Sequence, residues 1–242
     1  MDLRNARCLV TGASSGIGKA VAHRLAHEGA RVVALGRDTQ ALTGLGARAV
    51  VCDLAAPGAW SRAAEAAGEI DVLVNNAGIG WAGRFADMPS DASERLLAVD
   101  LLAPILLTRA LLPGMLERRR GHVVNVASIV AHTGAKAEAV YAAAKGGLVA
   151  FSESLRQELA GTPVRVSVVT PAAIDTPFFE RRGLPYGRRW PRPLPPERVA
   201  DAVVRALETG RAEIFVPGWM TLPARLRGTA PGVFRHLVDR FG

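Results

Sequence analysis

The chain has 242 residues, 49% of them apolar, and carries 30 Lys and Arg against 22 Asp and Glu, a formal net charge of +8. That length and apolar share suit one large α/β domain with a sizeable core, and there is no linker, low-complexity run or internal repeat to divide it. Only two cysteines occur, Cys8 and Cys52, which excludes a disulfide framework beyond a single pair; both lie in or beside expected buried strands and read as core thiols of a reducing, cytoplasmic compartment.

In chain order, apolar runs predict strands at 7–11, 31–35, 47–51, 72–75, 122–127, 164–169 and 213–216. Helices are predicted at 16–28, 39–45, 59–67, 91–117, 138–159 and 196–208. The strands are continuous apolar runs, the pattern of a sheet covered on both faces. Their alternation with helices predicts an α/β fold, a single Rossmann-type doubly wound parallel sheet of about seven strands with helices on both faces. The first strand begins within a few residues of Met1, which leaves no room for a signal peptide. The longest apolar stretch, 96–116, is broken by Asp100, Pro104, Arg109 and Pro113, which argues against a membrane span.

The first strand runs into Thr11-Gly12-Ala13-Ser14-Ser15-Gly16-Ile17-Gly18, followed by a helix. Strand, glycine turn and helix form the context of a nucleotide site: glycines let the backbone approach a pyrophosphate, and the free amides at the helix start favour its charge. The spacing is T-G-x-x-x-G-x-G, not the commoner G-x-G-x-x-G. Tyr141 is followed four residues later by Lys145 on a predicted helix, and Ser128 closes the strand thirteen residues upstream of Tyr141. Residues four apart share a helix face. A positive charge within about 4–6 Å favours a phenolate over the ordinary tyrosine pKa of about 10, so this pair is expected to bring Tyr141 toward neutrality as an acid and base. No His, Cys and carboxylate cluster has metal-ligand spacing, so no metal is expected; His122 and His132 flank the Ser128 strand and read as structural.

With Asn75-Asn76-Ala77-Gly78 after the fourth strand, four motifs stand in order, and the chain over about residues 3–217 resembles the short-chain dehydrogenase/reductase family. The resemblance implies a catalytic set of Ser128, Tyr141 and Lys145. It also implies a dinucleotide held by Gly12, Ser14, Ser15, Gly16, Ile17, Gly18, Asn75, Ala77, Gly78, Tyr141, Lys145, Pro171 and Thr176, with Asp53 and Leu54 near the adenine. Asp100 is counted with the catalytic set and stands where the family usually has Asn, in a relay reaching the catalytic lysine: if the backbone carbonyl carries the relay, Asp can substitute, and if the side chain matters, its carboxylate would stabilise charged Lys145 while opposing the Tyr141 phenolate. Pro171-Ala172 replaces the usual Pro-Gly. NAD-preferring enzymes carry an acid after the second strand; here Gly36-Arg37 favours NADP(H), with NAD(H) possible and Asp38 keeping that alternative open.

The expected activity interconverts a hydrophobic ketone or aldehyde and its alcohol. The alternatives are a ketoacyl thioester reductase or an NADP(H)-binding sensor or scaffold without turnover. Glu213-Ile214-Phe215-Val216-Pro217 departs from the Gly-rich end usual in ketoacyl reductases. A substrate loop is expected at about 175–195, where Phe178, Phe179, Tyr186 and Trp190 stand among Arg181, Arg182, Arg188, Arg189 and Arg192; these residues read as a solvated rim in preference to a clasp for a hydrophobic carbonyl compound bearing an acidic or phosphate group. Residues 181–242 hold 12 Arg against 5 acids, but no recognition motif supports a nucleic-acid partner. Beyond the catalytic domain, 1–217, the tail 218–242 sets Val233, Phe234, Leu237, Val238 and Phe241 on one helical face, with Arg235, His236, Asp239 and Arg240 between them. That face is expected to pack on its own subunit or a partner in a homodimer or homotetramer, in preference to a membrane surface.

Overall fold

The computed structural model describes residues 1–187 and 191–241, with side chains reported up to residue 237. Arg188, Arg189, Trp190, and the side chains of Val238, Asp239, Arg240 and Phe241 lie outside the described residues. Seven parallel strands form one sheet: β1 (Arg7–Thr11), β2 (Arg31–Gly36), β3 (Arg48–Val51), β4 (Val72–Asn75), β5 (Gly121–Val126), β6 (Val164–Pro171) and β7 (Glu213–Val216). Their order is β3-β2-β1-β4-β5-β6-β7, so the winding reverses between β1 and β4. A crevice therefore opens at the carboxyl ends of these two strands, where ligands of doubly wound sheets bind.

The helices are α1 (Gly16–His27), α2 (Thr39–Thr43), α3 (Ala59–Ala67), α4 (Ser90–Leu97), α5 (Ala103–Glu117), α6 (Val130–Thr133), α7 (Ala139–Glu158), α8 (Phe178–Arg181), α9 (Glu197–Thr209), α10 (Thr221–Thr229) and α11 (Pro231–Phe241). Apolar clusters cover the two sheet faces: Val10, Leu25 and Leu207 belong to one, and Leu9, Leu107 and Met115 to the other. The predicted helix at 91–117 is interrupted, because Ala98–Leu102 forms a π turn between α4 and α5 and carries the buried Asp100. Turns of this kind occur often at functional sites. By length and apolar composition Ser90–Glu117 could cross a membrane, but its Leu96, Asp100, Leu107 and Thr108 are buried inside the fold. The helices α6, α8 and α10 carry no strong periodic signal in the sequence and were absent from the expected elements.

His122 is the second residue of β5 and is buried in the interior. Its Nε2 lies 2.8 Å from Ser167 Oγ, and that hydroxyl donates to Arg211 O at 2.7 Å, so Nε2 must carry the proton. Burial pushes the imidazole pKa down from 6.5 to about 3. A depressed folded-state pKa gives stability that is complete above the unfolded value and is lost as pH falls from about 6.5 toward 3. Thermal melts of His122→Gln are therefore expected to fall less steeply between those limits than wild type; parallel curves would show that another group governs acid unfolding.

Candidate active site

The crevice is a cleft of about 1090 Å³. Its floor begins at Gly12, which follows β1 with φ +68°, a conformation strained for other residues. A Cβ there would stand 2.8 Å from Ala77 Cα, and one on Gly18 would run into the carbonyl oxygen of Gly12. The turn is stitched to the end of β4: the amides of Asn76 and Ala77 donate to Thr11 Oγ1 at 3.0 and 2.9 Å, and Asn76 Nδ2 donates to Thr11 O at 2.9 Å. A narrow backbone cradle thus leads into the start of α1. It fits the phosphates of a dinucleotide, because glycines stand at its closest approaches and α1 has no acidic residue in its first turn.

Gly12, Ser14, Ser15, Gly16, Ile17, Arg37, Asp53, Leu54, Ala77, Gly78, Pro171 and Thr176 all line the cleft. Gly18 lies beneath it and lets α1 approach the turn. Asn75 belongs elsewhere. Its Nδ2 donates to Asn125 Oδ1 at 2.8 Å and to Thr108 Oγ1 at 3.3 Å, in the interior, because it pairs in register with Asn125 across β4 and β5. Asn76 is the asparagine at the cleft, and sequence spacing alone does not separate the two. Asp38 caps α2 by accepting from the Ala41 amide at 3.0 Å, so its carboxylate is committed while Arg37 faces the cleft. Asp53 accepts from Arg95 Nη2 at 2.8 Å.

Ser128, Tyr141 and Lys145 converge on the same cleft. Ser128 follows β5, and Tyr141 and Lys145 share one face of α7, as their spacing requires. A buried carboxylate enters the balance between Tyr141 and Lys145. Lys145 Nζ pairs with Asp100 Oδ2 at 3.2 Å and donates to Val126 O at 3.2 Å, and both members of the pair are buried. Its charge is thereby met by a carboxylate. Burial holds the Tyr141 phenol well above its ordinary pKa, and the Asp100 charge pushes the same way, while a hydrogen bond with Ser128 opposes them. Asp100 is wholly buried, is not a lining residue, and accepts from the Ile79 amide at 2.8 Å. Its contact with the cleft residues runs through Lys145.

The loop arginines are not all a solvated rim. Arg182 is buried, pairs with Glu138 just ahead of α7, and lies 4.7 Å over the Phe179 ring. Phe178 packs 5.3 Å from the Tyr141 ring, and Phe179 lies 5.0 Å from Tyr186. Trp81, Met220 and Phe234 complete apolar walls. Phe234, on α11, is buried there, so this aromatic is turned inward and away from any surface. His132 makes no part of the cleft; its Nε2 lies 2.9 Å from Glu213 Oε1. Among the described residues no cluster of His, Cys, Asp and Glu could hold a metal ion.

A glycine cradle at the reversal point of a parallel sheet, beside a serine, a tyrosine and a lysine, defines a nucleotide-dependent oxidoreductase of the Rossmann type. A short chain dehydrogenase family model matches residues 6–185. The chain is 34% identical over 98% of its length, and 81% of the relative's, to a bovine (Bos taurus) dehydrogenase/reductase SDR family member 7B. It is 38% identical, over 98% of its length and 90% of the relative's, to a 1-deoxy-11-beta-hydroxypentalenate dehydrogenase of Streptomyces arenae. Among solved structures it resembles a short-chain dehydrogenase from Sphingobium yanoikuyae in complex with NADPH, at a TM-score of 0.83 and 27% identity, covering 94% of this chain and 95% of that one. The chain belongs to the short-chain dehydrogenase/reductase family of NAD(P)-dependent oxidoreductases.

Proposed function

We propose that this protein interconverts a hydrophobic ketone or aldehyde and its alcohol, with NADP(H) preferred over NAD(H) and Tyr141 as general acid and base. The observation that carries the reading is the meeting of Ser128, Tyr141 and Lys145 in one cleft with the cradle of residues 12–18. The bound nicotinamide supplies or accepts the hydride. Ser128 donates a hydrogen bond to the substrate oxygen and orients it, and Tyr141 delivers a proton to that oxygen in reduction or removes it in oxidation. Lys145, fixed by Asp100 and Val126 O, retains donor capacity for a ribose hydroxyl at the cleft surface. Trp81, Phe178, Phe179, Met220 and Phe234 form walls that exclude water and favour an apolar substrate. The bovine and Streptomyces relatives support oxidoreductase chemistry of this kind, and the name of the second gives a hydroxypentalenate as its substrate. A homodimer or homotetramer would cover the exposed Leu97, Leu102 and Leu116 of α4, the π turn and α5.

Purified protein mixed with NADPH or NADH and a panel of apolar carbonyl compounds tests the reading by loss of the reduced-nicotinamide absorbance. Turnover of apolar ketones or aldehydes is expected; a panel without turnover, from protein that binds NADPH, supports a sensor or scaffold instead. For the cofactor, Arg37→Ala is expected to raise the KM for NADPH by roughly tenfold or more relative to that for NADH, since a charge-assisted contact contributes on the order of 1.5–3 kcal/mol. Equal weakening of the two would remove Arg37 as the 2′-phosphate ligand.

A further inference from the structure

Arg181 takes no part in the chemistry above. It ends α8, in the substrate loop, yet its Nη1 donates to Ser15 Oγ at 3.0 Å and so bridges the cleft to the glycine turn. Arg181 is exposed, and among the described residues it forms no ion pair, so neither packing nor a carboxylate holds it there. Ser15 is the N-cap residue of α1, but its hydroxyl does not cap the helix. A guanidinium thus faces the positive end of a helix across one hydroxyl, with no acid in the first helical turn to offset it. Like charges are gathered, and an anion between them would turn repulsion into paired attraction. Both Ser15 and Arg181 line the cleft of the cofactor cradle, which identifies the anion by chemistry.

We propose that Arg181 is a ligand of the dinucleotide pyrophosphate, reaching it from the substrate loop. The proposal rests on the NAD(P) dependence of the family and goes beyond it in assigning a phosphate ligand outside the glycine turn. The mechanical connection is short. Adjacent Arg182 is buried against Glu138, which lies just before α7, and Phe178 at the start of α8 packs 5.3 Å from the Tyr141 ring. The same short helix therefore touches the phosphate turn at one end and the wall around Tyr141 at the other.

Two measurements on Arg181→Ala test this. Dissociation constants for NADPH and NADH, taken by titration calorimetry without substrate, are expected to rise together by roughly tenfold or more, because the pyrophosphate is common to both. In hydrogen exchange, NADPH is expected to protect residues 12–18 and 176–187 of the wild type, and only residues 12–18 of the variant at saturating NADPH. Unchanged dissociation constants overturn the proposal, as does loss of affinity for NADPH alone, which would assign Arg181 to the 2′-phosphate. Wild-type protein that binds neither dinucleotide would overturn the cofactor reading itself, a failure distinguishable from failure of the Arg181 contact. Melting of the unliganded variant at the wild-type temperature shows that the fold is intact.

Discussion

Tyr141→Phe is expected to reduce turnover by about 10²–10⁴-fold, the usual contribution of a positioned acid or base, while NADPH binding and fold are retained. The substitution removes one hydroxyl and no volume of consequence. The ring that packs with Leu96 and Ala144, and lies 5.3 Å from Phe178, remains. What is lost is the transferable proton and its hydrogen bond with Ser128. Steady-state kinetics on whichever carbonyl compound the panel identifies, together with NADPH titration, check this. A variant with near-normal kcat would remove Tyr141 from proton transfer.

The second large effect is on stability. Lys145→Met is expected to destabilise the protein by about 3–5 kcal/mol, because it leaves the Asp100 carboxylate buried without its counter-ion. Urea unfolding should also show dependence on Asp100: in Asp100→Asn/Lys145→Met most of the loss should be recovered, since neither charge remains. The pH sign follows from burial, which raises the Asp100 pKa from 3.8 against the opposing pull of Lys145. The folded state then binds a proton more readily than the unfolded one, so the stability gained by protonation is complete below the unfolded pKa and is lost as pH rises through the folded value. Without Lys145 the folded value rises further, and Lys145→Met should regain stability on acidification. A single variant within about 1 kcal/mol of wild type, below the range for a broken buried pair, would mean that the charges are hydrated rather than paired.

What the sequence made legible is local. The glycine turn, the order of strands and the Tyr141–Lys145 spacing depend on neighbours a few residues apart, and periodicity reports them directly. The place where the winding reverses, between β1 and β4, comes from the structure. The charge balance at Tyr141 was not legible in the same way: Asp100 reaches Lys145 only because a π turn inside one long helical pattern carries its carboxylate beneath the cleft. The sequence did indicate the sense of its effect, that a carboxylate there opposes the phenolate. Arg182 and Glu138 are 44 positions apart, so a run of loop arginines gave no sign that one of them is buried and paired. Asn75 and Asn76 are adjacent, and only the strand register assigns one to the interior and the other to the cleft.

The chain has just two tyrosines, Tyr141 and Tyr186, so their ionisation can be followed one residue at a time by NMR of protein labelled with ¹³C at the tyrosine ζ carbon. Tyr186 is assigned by a Tyr186→Phe control. Burial and the Asp100 charge raise the Tyr141 pKa, against the hydrogen bond with Ser128, so in the proposed reaction Tyr141 starts as a proton donor. Tyr141 in the unliganded protein is therefore expected to stay protonated at pH values where a free tyrosine, with a pKa of about 10, is half ionised, and Asp100→Asn is expected to lower its titration midpoint. A Tyr141 phenolate near neutral pH in the wild type, or a midpoint that Asp100→Asn leaves unmoved, would contradict it.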